Sequence, residues 1–237
     1  MEHIDALIQY GLTRQEANLY LLLLSEGSLT GYEASKQTGI SRSNTYSGLA
    51  GLVDKGAAYA EEGAVTRYSP VKAEEFCGNK IRFLETLKQE LAASLPERRG
   101  SEEGYLTIRG ERHILDKMKS MLQQTKLRVY LAVSSNVLSL LEPELTDAAG
   151  RNIKTVILSD ERPQIAGIIY YTSPCKKNQI RMITDSRNVL TGELNGELST
   201  CLYSSRKNLA DVFKEALRNE IKLIELTSNE KEEDSIQ

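Results

Sequence analysis

Tryptophan is absent from this chain of 237 residues, which has only 3 phenylalanines, 3 cysteines and 2 histidines. The cysteines, Cys77, Cys175 and Cys201, are odd in number and far apart. That excludes a disulfide framework and zinc-ligand spacing. Only Cys175, in SPCKKN, has cationic neighbours, Lys176 and Lys177, of the kind that lower a thiol pKa. His3 and His113 each stand apart from any other ligand-type cluster. A histidine metal centre or a Ser-His-Asp triad is therefore poorly supplied, and neither metal nor cofactor is expected. No apolar run approaches the roughly 20 residues that cross a bilayer. The first residues, MEHIDALIQYG, lack the basic-then-apolar order of a secretory signal. A cytoplasmic protein with no membrane partner is the expectation. Positive charge is not in excess either: 30 Lys and Arg stand against 33 Asp and Glu. The chain as a whole does not advertise nucleic-acid binding.

What is present is a series of helix start and stop signals. GLTRQEANLYLLLLSEG holds Thr13 with Glu16 three residues on, a capping box, and ends at Gly27. Ala17, Tyr20, Leu21 and Leu24 make one apolar face of this helix and Leu19, Leu22 and Leu23 a second, which predicts burial on most sides. SLTGYEASKQTG repeats the box with Thr30 and Glu33 and closes at Gly39. Ser41 then caps a third helix that Gly56 stops. Helix, short Gly-containing turn, helix over residues 30–55 is the helix-turn-helix signature. Ala58-Tyr59 and Thr66-Arg67-Tyr68 flank a Glu-Glu-Gly turn and predict a β-hairpin, the wing.

The third helix has a bare side. At about 100° per residue, Tyr46, Leu49, Leu52 and Val53 fall into one apolar stripe, while Ser43, Asn44, Ser47 and Gly51, with Ala50 at the edge, lie opposite. A solvated face normally carries Glu, Lys and Gln, which favour helix more strongly. Small side chains there suit the close approach of something large, and a DNA major groove admits one helix. Asn44 is suited to adenine, Arg42 to guanine or phosphate, and Ser41 with the amides after it, including that of Thr45, to phosphate. Tyr46 fits either core packing or a phosphate contact. Arg67 is the wing's backbone candidate, with Lys36 and Lys55 weaker ones. Charge opposes strong binding, because residues 1–75 hold 6 Lys and Arg against 10 Asp and Glu.

Residues 72–97 predict a long helix with Phe76, Phe83, Leu84, Leu87, Leu91 and Leu95 along a seam that wants a partner helix; pairing with a second copy is the expectation. Pro96 and the polar ERRGSEEG mark a linker. The domain reading is residues 1–75 winged helix-turn-helix, 76–97 dimerisation helix, 98–104 linker, 105–228 α/β domain and 229–237 disordered tail. Beyond the linker, YLTIRG, LRVYLAV, KTVILS, QIRMITD, NVLTGEL and STCLYSS read as strands. GERHILDKMKSMLQQT, VLSLLEPELTDAAGRN and RKNLADVFKEALRNEIKLIEL read as helices. The alternation predicts α/β layers, so the whole is mixed α+β and α/β. A ligand pocket belongs outside the carboxyl ends of the strands. That singles out Ser134, Ser135 and Asn136 after LRVYLAV, and Ser159, Asp160, Glu161 and Arg162 after KTVILS.

Together GLTRQEANLY, TGYEASKQTGISRSNTY, LAGLVDKGAA and RYSPVKAEEF resemble the winged helix of the TrmB family of transcriptional regulators, over residues 11–76. Residues 105–226 are similar, more loosely, to the phospholipase-D-like effector domain of many members. The resemblance implies a homodimeric regulator that binds double-stranded DNA and often senses a small molecule. The phospholipase-D motif pairs a His with a Lys two positions on. Here Leu115 occupies that place after His113, and ITDSRNVLTG has no histidine, so the nucleophile for hydrolysis is missing. The additional sugar-binding domain of longer members is not expected here, so sugar sensing is not carried over. A phosphodiesterase with a DNA-binding module, and an adaptor whose winged helix binds protein, stay open as alternatives.

Overall fold

Thr13 and Glu16 make the reciprocal pair their spacing predicts: the Thr13 N–H donates to the Glu16 carboxylate at 2.6 Å and the Glu16 N–H to the Thr13 hydroxyl at 3.2 Å. This is seen in a computed structural model that describes residues 3–96, 104–174 and 178–234, the side chains of 228–234 excepted. Cys175 and most of the linker lie outside the described residues. The chain divides into two units, Met1–Arg98 and Arg99–Gln237.

In the first unit, α1 (His3–Gln9) precedes α2 (Arg14–Glu26), which the Thr13 box opens and Gly27 closes at φ 81°. Strand β1 (Leu29–Thr30) leads into α3 (Gly31–Thr38), where Thr30 and Glu33 repeat the box. Gly39 is left-handed at φ 70°, and the Ser41 hydroxyl accepts from the Asn44 N–H to start α4 (Arg42–Asp54). The wing is β2 (Ala58–Glu61) and β3 (Arg67–Pro70), and β1 joins it in the antiparallel order β1-β3-β2. α1 and β1 are too short to show a period in sequence. The core gathers Leu19, Tyr20, Leu23, Leu49 and Leu52. α2 is buried along one side rather than most: Leu21 and Leu22 are half-buried and Leu24 is exposed.

Helix α5 (Ala73–Ser94) follows. Phe76 corrects the expected dimer seam. It is 2% exposed, and its ring sits 5.7 Å from that of Tyr20, whose hydroxyl donates to the Val71 carbonyl at 2.7 Å. The first turn of α5 therefore belongs to the winged-helix core. Ile81, Phe83, Leu84, Leu91 and Leu95 are exposed and Leu87 half-buried.

The second unit runs β4 (Tyr105–Arg109), α6 (Glu111–Gln124), β5 (Arg128–Ala132), α7 (Ser135–Ser139), α8 (Glu142–Gly150), β6 (Lys154–Ser159) and β7 (Ile169–Thr172), then β8 (Gln179–Thr184), β9 (Asn188–Glu193), β10 (Thr200–Ser204) and α9 (Lys207–Asp234). One seven-stranded sheet has the order β4-β10-β9-β8-β5-β6-β7; β5, β6 and β7 are parallel and the other pairs antiparallel. Apolar residues on one sheet face pack with α6, α7 and α8, and those on the other with α9. Pro143 splits the single helix expected from VLSLLEPELTDAAGRN, because it fits a first turn and not an interior. β7 is an edge strand of exposed and half-buried residues, without the alternation that reveals a strand in sequence. α9 extends to Asp234, into the stretch expected to be disordered, where Glu and Lys carry good helix propensity.

Asp185 and Ser186 turn the β8–β9 hairpin with φ 49° and 57°. The Asp185 carboxylate accepts the N–H groups of Lys126, Leu127 and Arg128 at 2.8–3.3 Å and so ties the start of β5 to this turn.

Candidate nucleic-acid interface

The inward stripe of α4 is Thr45, Gly48, Leu49 and Leu52, all buried. Thr45 is thereby removed from the candidate DNA contacts. Its N–H is spent on the Ser41 carbonyl at 2.9 Å, its side chain is wholly buried, and its hydroxyl donates to the same carbonyl at 3.0 Å. Tyr46 moves the other way. It is 46% exposed and lies over Gly31 at the start of α3, where an added Cβ would stand 2.6 Å from the ring carbon Cζ. The outer face carries Arg42, Ser43, Asn44, Tyr46, Ser47 and Ala50, all exposed, and Ser41 is exposed at its cap. The Arg42 guanidinium sits 4.8 Å over the ring of Tyr32, which is itself 51% exposed. Tyr32 is a member of this surface that sequence reasoning missed, since only the α3–α4 packing brings it beside Arg42.

Gly51 has a different reason to be small. A Cβ there would meet the Glu16 carboxylate. That carboxylate is held by the Lys55 ammonium at 2.5 Å and by the Thr13 N–H. Burial alone would raise the Glu16 carboxyl; the bonds from Lys55 and from the Thr13 backbone and hydroxyl outweigh it and hold the group below the usual glutamate value. Gly51 and Lys55 therefore serve packing of α4 on α2, not the outer face. Lys36 is exposed. Arg67 is anchored within the unit: its guanidinium donates to the Ser28 carbonyl at 2.5 Å and its Nη1 lies 3.7 Å from Glu33. The outer face of α4 thus carries one cation, Arg42, which rests on the Tyr32 ring, and Lys36 is exposed on α3.

In the second unit the expected pocket at the strand ends assembles in part. Ser135 and Arg162 border a cavity of about 200 Å³, with Glu142 and Glu161. Asp160 is exposed and does not border it; its carboxylate accepts the Ser135 N–H at 2.6 Å and the Ser159 hydroxyl at 3.1 Å. Those bonds, led by the Ser135 backbone, keep the Asp160 carboxyl below its ordinary value against the opposing effect of burial. Ser134 and Ser159 are buried, and Asn136 is exposed but away from the cavity lining; none of the three borders it. Two carboxylates beside one guanidinium make a weak anion site. Among the described residues no group of three or more His, Cys, Asp or Glu could hold a metal, and no helix is long and apolar enough to cross a membrane.

Fold and surface together define a winged helix-turn-helix protein with its own α/β domain. The chain belongs to the TrmB family of transcriptional regulators: residues 7–74 match the family described as the sugar-specific transcriptional regulator TrmB, and residues 105–215 the EBD N-terminal subdomain of TrmB. It is 30% identical over 159 residues to the uncharacterized protein YrhO of Bacillus subtilis (strain 168), covering 66% of this chain and 58% of that one. It is 26% identical over 166 residues to the DNA-binding HTH-type transcriptional repressor TrmBL2 of Thermococcus kodakarensis, covering 63% of each chain. The matches thus span about three-fifths of these relatives' own length. Among solved structures, TrmBL2, an archaeal chromatin protein, aligns at TM-score 0.45 and 22% identity over 93% of this chain and 97% of that one. NucT from Helicobacter pylori aligns at TM-score 0.40 and 14% identity over 50% of this chain and 97% of that one.

Proposed function

We propose that this chain is a cytoplasmic, homodimeric regulator that reads double-stranded DNA with α4 and senses a small molecule with its second unit, without catalysis. The observation that carries the reading is the outer face of α4. Six exposed side chains, none longer than Arg42 and Tyr46, stand on a helix buttressed by α2 and α3. The major groove is about 12 Å wide and takes one such helix. Asn44 offers adenine a bidentate pair, worth roughly 1–3 kcal/mol of discrimination. Arg42, steadied by Tyr32, faces guanine or phosphate. Ser41, Ser43 and Ser47 give short hydroxyl contacts, and Tyr46 and Lys36 reach the flanking backbone. Two half-sites need two copies, and the exposed stripe from Phe83 to Leu95 on α5 supplies a self-complementary seam. The chain's two histidines, neither followed by Lys two places on, support a non-catalytic second unit.

Few cations face outward, so the salt dependence is shallow. At two or three phosphate contacts per protomer, log K against log salt has a slope no steeper than about −5 for the dimer. Selection of bound fragments from a random duplex pool tests the reading. The expected product is a two-fold symmetric site whose binding is lost on combining Arg42→Ala with Asn44→Ala. Absence of any enriched site removes the DNA reading and favours the protein-binding adaptor, whereas binding untouched by that double variant removes α4 as the element that reads the DNA.

A further inference from the structure

Opposite the face covered by α6 and α8, the sheet and α9 leave a cavity of about 300 Å³ between β5, β6, β7 and the middle of the helix. Four cations border it: Lys154 at the start of β6, and Lys214, Arg218 and Lys222 on α9. The helix residues recur at intervals of four, which at 100° per residue puts them along one side of α9. Lys154 shares its sheet face with Val156 because strand residues alternate. The opposing charges are few. Lys214 has Asp211 at 3.8 Å, and Glu225 on the rim accepts the Tyr171 hydroxyl at 2.8 Å. Lys154, Arg218 and Lys222 have no ion-pair partner among the described residues. The interior is apolar: Tyr130, Val156 and Ile169 form one row across three strands, and Leu217 and Ile221 close it from the helix.

Cations converging from two separate elements over an apolar floor match a ligand with two parts. We propose that this cavity binds a small organic phosphate, its phosphate held by Lys154, Arg218 and Lys222 and its flat or aliphatic body against Tyr130 and Ile221. Phosphate fits better than carboxylate because a monoester carries about two negative charges near neutral pH, matching the excess of unpaired cations. The volume is at the lower end of ordinary ligand cavities, which start at about 300 Å³, so the body is no larger than a nucleoside. The site is better built for an anion than the strand-end cavity, where Glu142 and Glu161 oppose Arg162. An effector role for the ligand rests on the regulator reading above; phosphate binding itself does not.

Calorimetry on the whole 237-residue chain, without DNA, tests the site with adenosine 5′-monophosphate and phenyl phosphate as probes, and with inorganic phosphate, adenosine and phenol as the separated parts. One or both phosphate esters should bind at least tenfold more tightly than either of their parts. Arg218→Ala combined with Lys222→Ala should weaken that binding at least tenfold, while Lys207→Ala, on the same helix outside the cavity, leaves it unchanged. Arg218 and Lys222 are both exposed on α9, so thermal melting should match the parent and certify the fold. Failure of both esters to bind at millimolar concentration overturns the proposal. So does equal binding of inorganic phosphate, which would mean surface charge alone. Binding of duplex DNA that is lost with the same double variant, with no ester binding, would make this side of α9 a nucleic-acid track instead.

Discussion

Replacing Gly51 by alanine should destabilise the N-terminal unit, against the usual trend in helices. In a helix interior, alanine is ordinarily more stable than glycine by about 0.5–1 kcal/mol. At position 51 the new methyl meets the Glu16 carboxylate, whose side chain is only 9% exposed. Displacing that group breaks the reciprocal half of the capping box, the bond from the Thr13 N–H, worth about 1 kcal/mol, and the charged bond to Lys55, while the Thr13 hydroxyl keeps the Glu16 N–H. The latter is set at about 1.5 kcal/mol, the low end for a charged hydrogen bond, because the Lys55 side chain is 37% exposed and solvent replaces part of it. After the helix gain of about 0.5–1 kcal/mol is subtracted, the net loss is about 1.5–2 kcal/mol, or about 6–16 °C in Tm for a unit of this size. The assay is a double-mutant cycle with Glu16→Ala, read from thermal unfolding of the N-terminal unit within the full chain. Once the carboxylate is gone, Gly51→Ala should become stabilising by about 0.5–1 kcal/mol, a coupling of about 2–3 kcal/mol. The pH dependence follows the same bond. With its carboxyl held low, Glu16 contributes stability above about pH 4.5 that is lost as pH falls through the depressed native value; in Gly51→Ala this acid loss shrinks. Zero coupling, with alanine stabilising both backgrounds alike, would refute the assignment of Gly51 to the Glu16–Lys55 pair.

Phe76 and Phe83 should separate folding from assembly: Phe76→Ala costs about 3–5 kcal/mol of stability, measured by denaturant titration, whereas Phe83→Ala changes it by less than about 0.5 kcal/mol and instead raises the dimer dissociation constant in sedimentation. Burial opposes ionisation of Asp185, but the three N–H groups of the β5 start hold its carboxyl below the ordinary value. Its contribution is therefore present above about pH 4 and lost as pH falls further, and Asp185→Asn should lower stability at pH 7 while flattening the acid limb of the stability curve. Ser186, left-handed at φ 57°, carries strain that glycine lacks. Ser186→Gly should raise the stability of the second unit by about 1 kcal/mol, seen as a higher denaturation midpoint.

The features legible in the sequence are those whose chemistry is local. Thr13, Thr30 and Ser41 bond residues three positions away, so their spacing alone announces α2, α3 and α4. The apolar runs that become β5 and β6 are likewise self-declaring, since both lie inside the sheet. The rotation of α4 is not local. Its composition centres the apolar stripe between Tyr46 and Leu49, but the packed stripe runs through Thr45 and Gly48, a turn of about 60° on the helical wheel. Two neighbours cause it. The bare Gly31 receives the Tyr46 ring on the outside, and Leu19 of α2 presses on Gly48, where a Cβ would stand 2.6 Å from its methyl carbon. A polar Thr45 is tolerated inside because its hydroxyl finds the Ser41 carbonyl one turn back. The candidate site survives this rotation because Ser43, Asn44 and Ser47 lie well away from the stripe in either phase. The residues near its edges, Tyr46 and Gly51, exchange roles. The α9 cavity draws side chains from positions as distant as Tyr130 and Lys222, so only the folded sheet could bring its charges together.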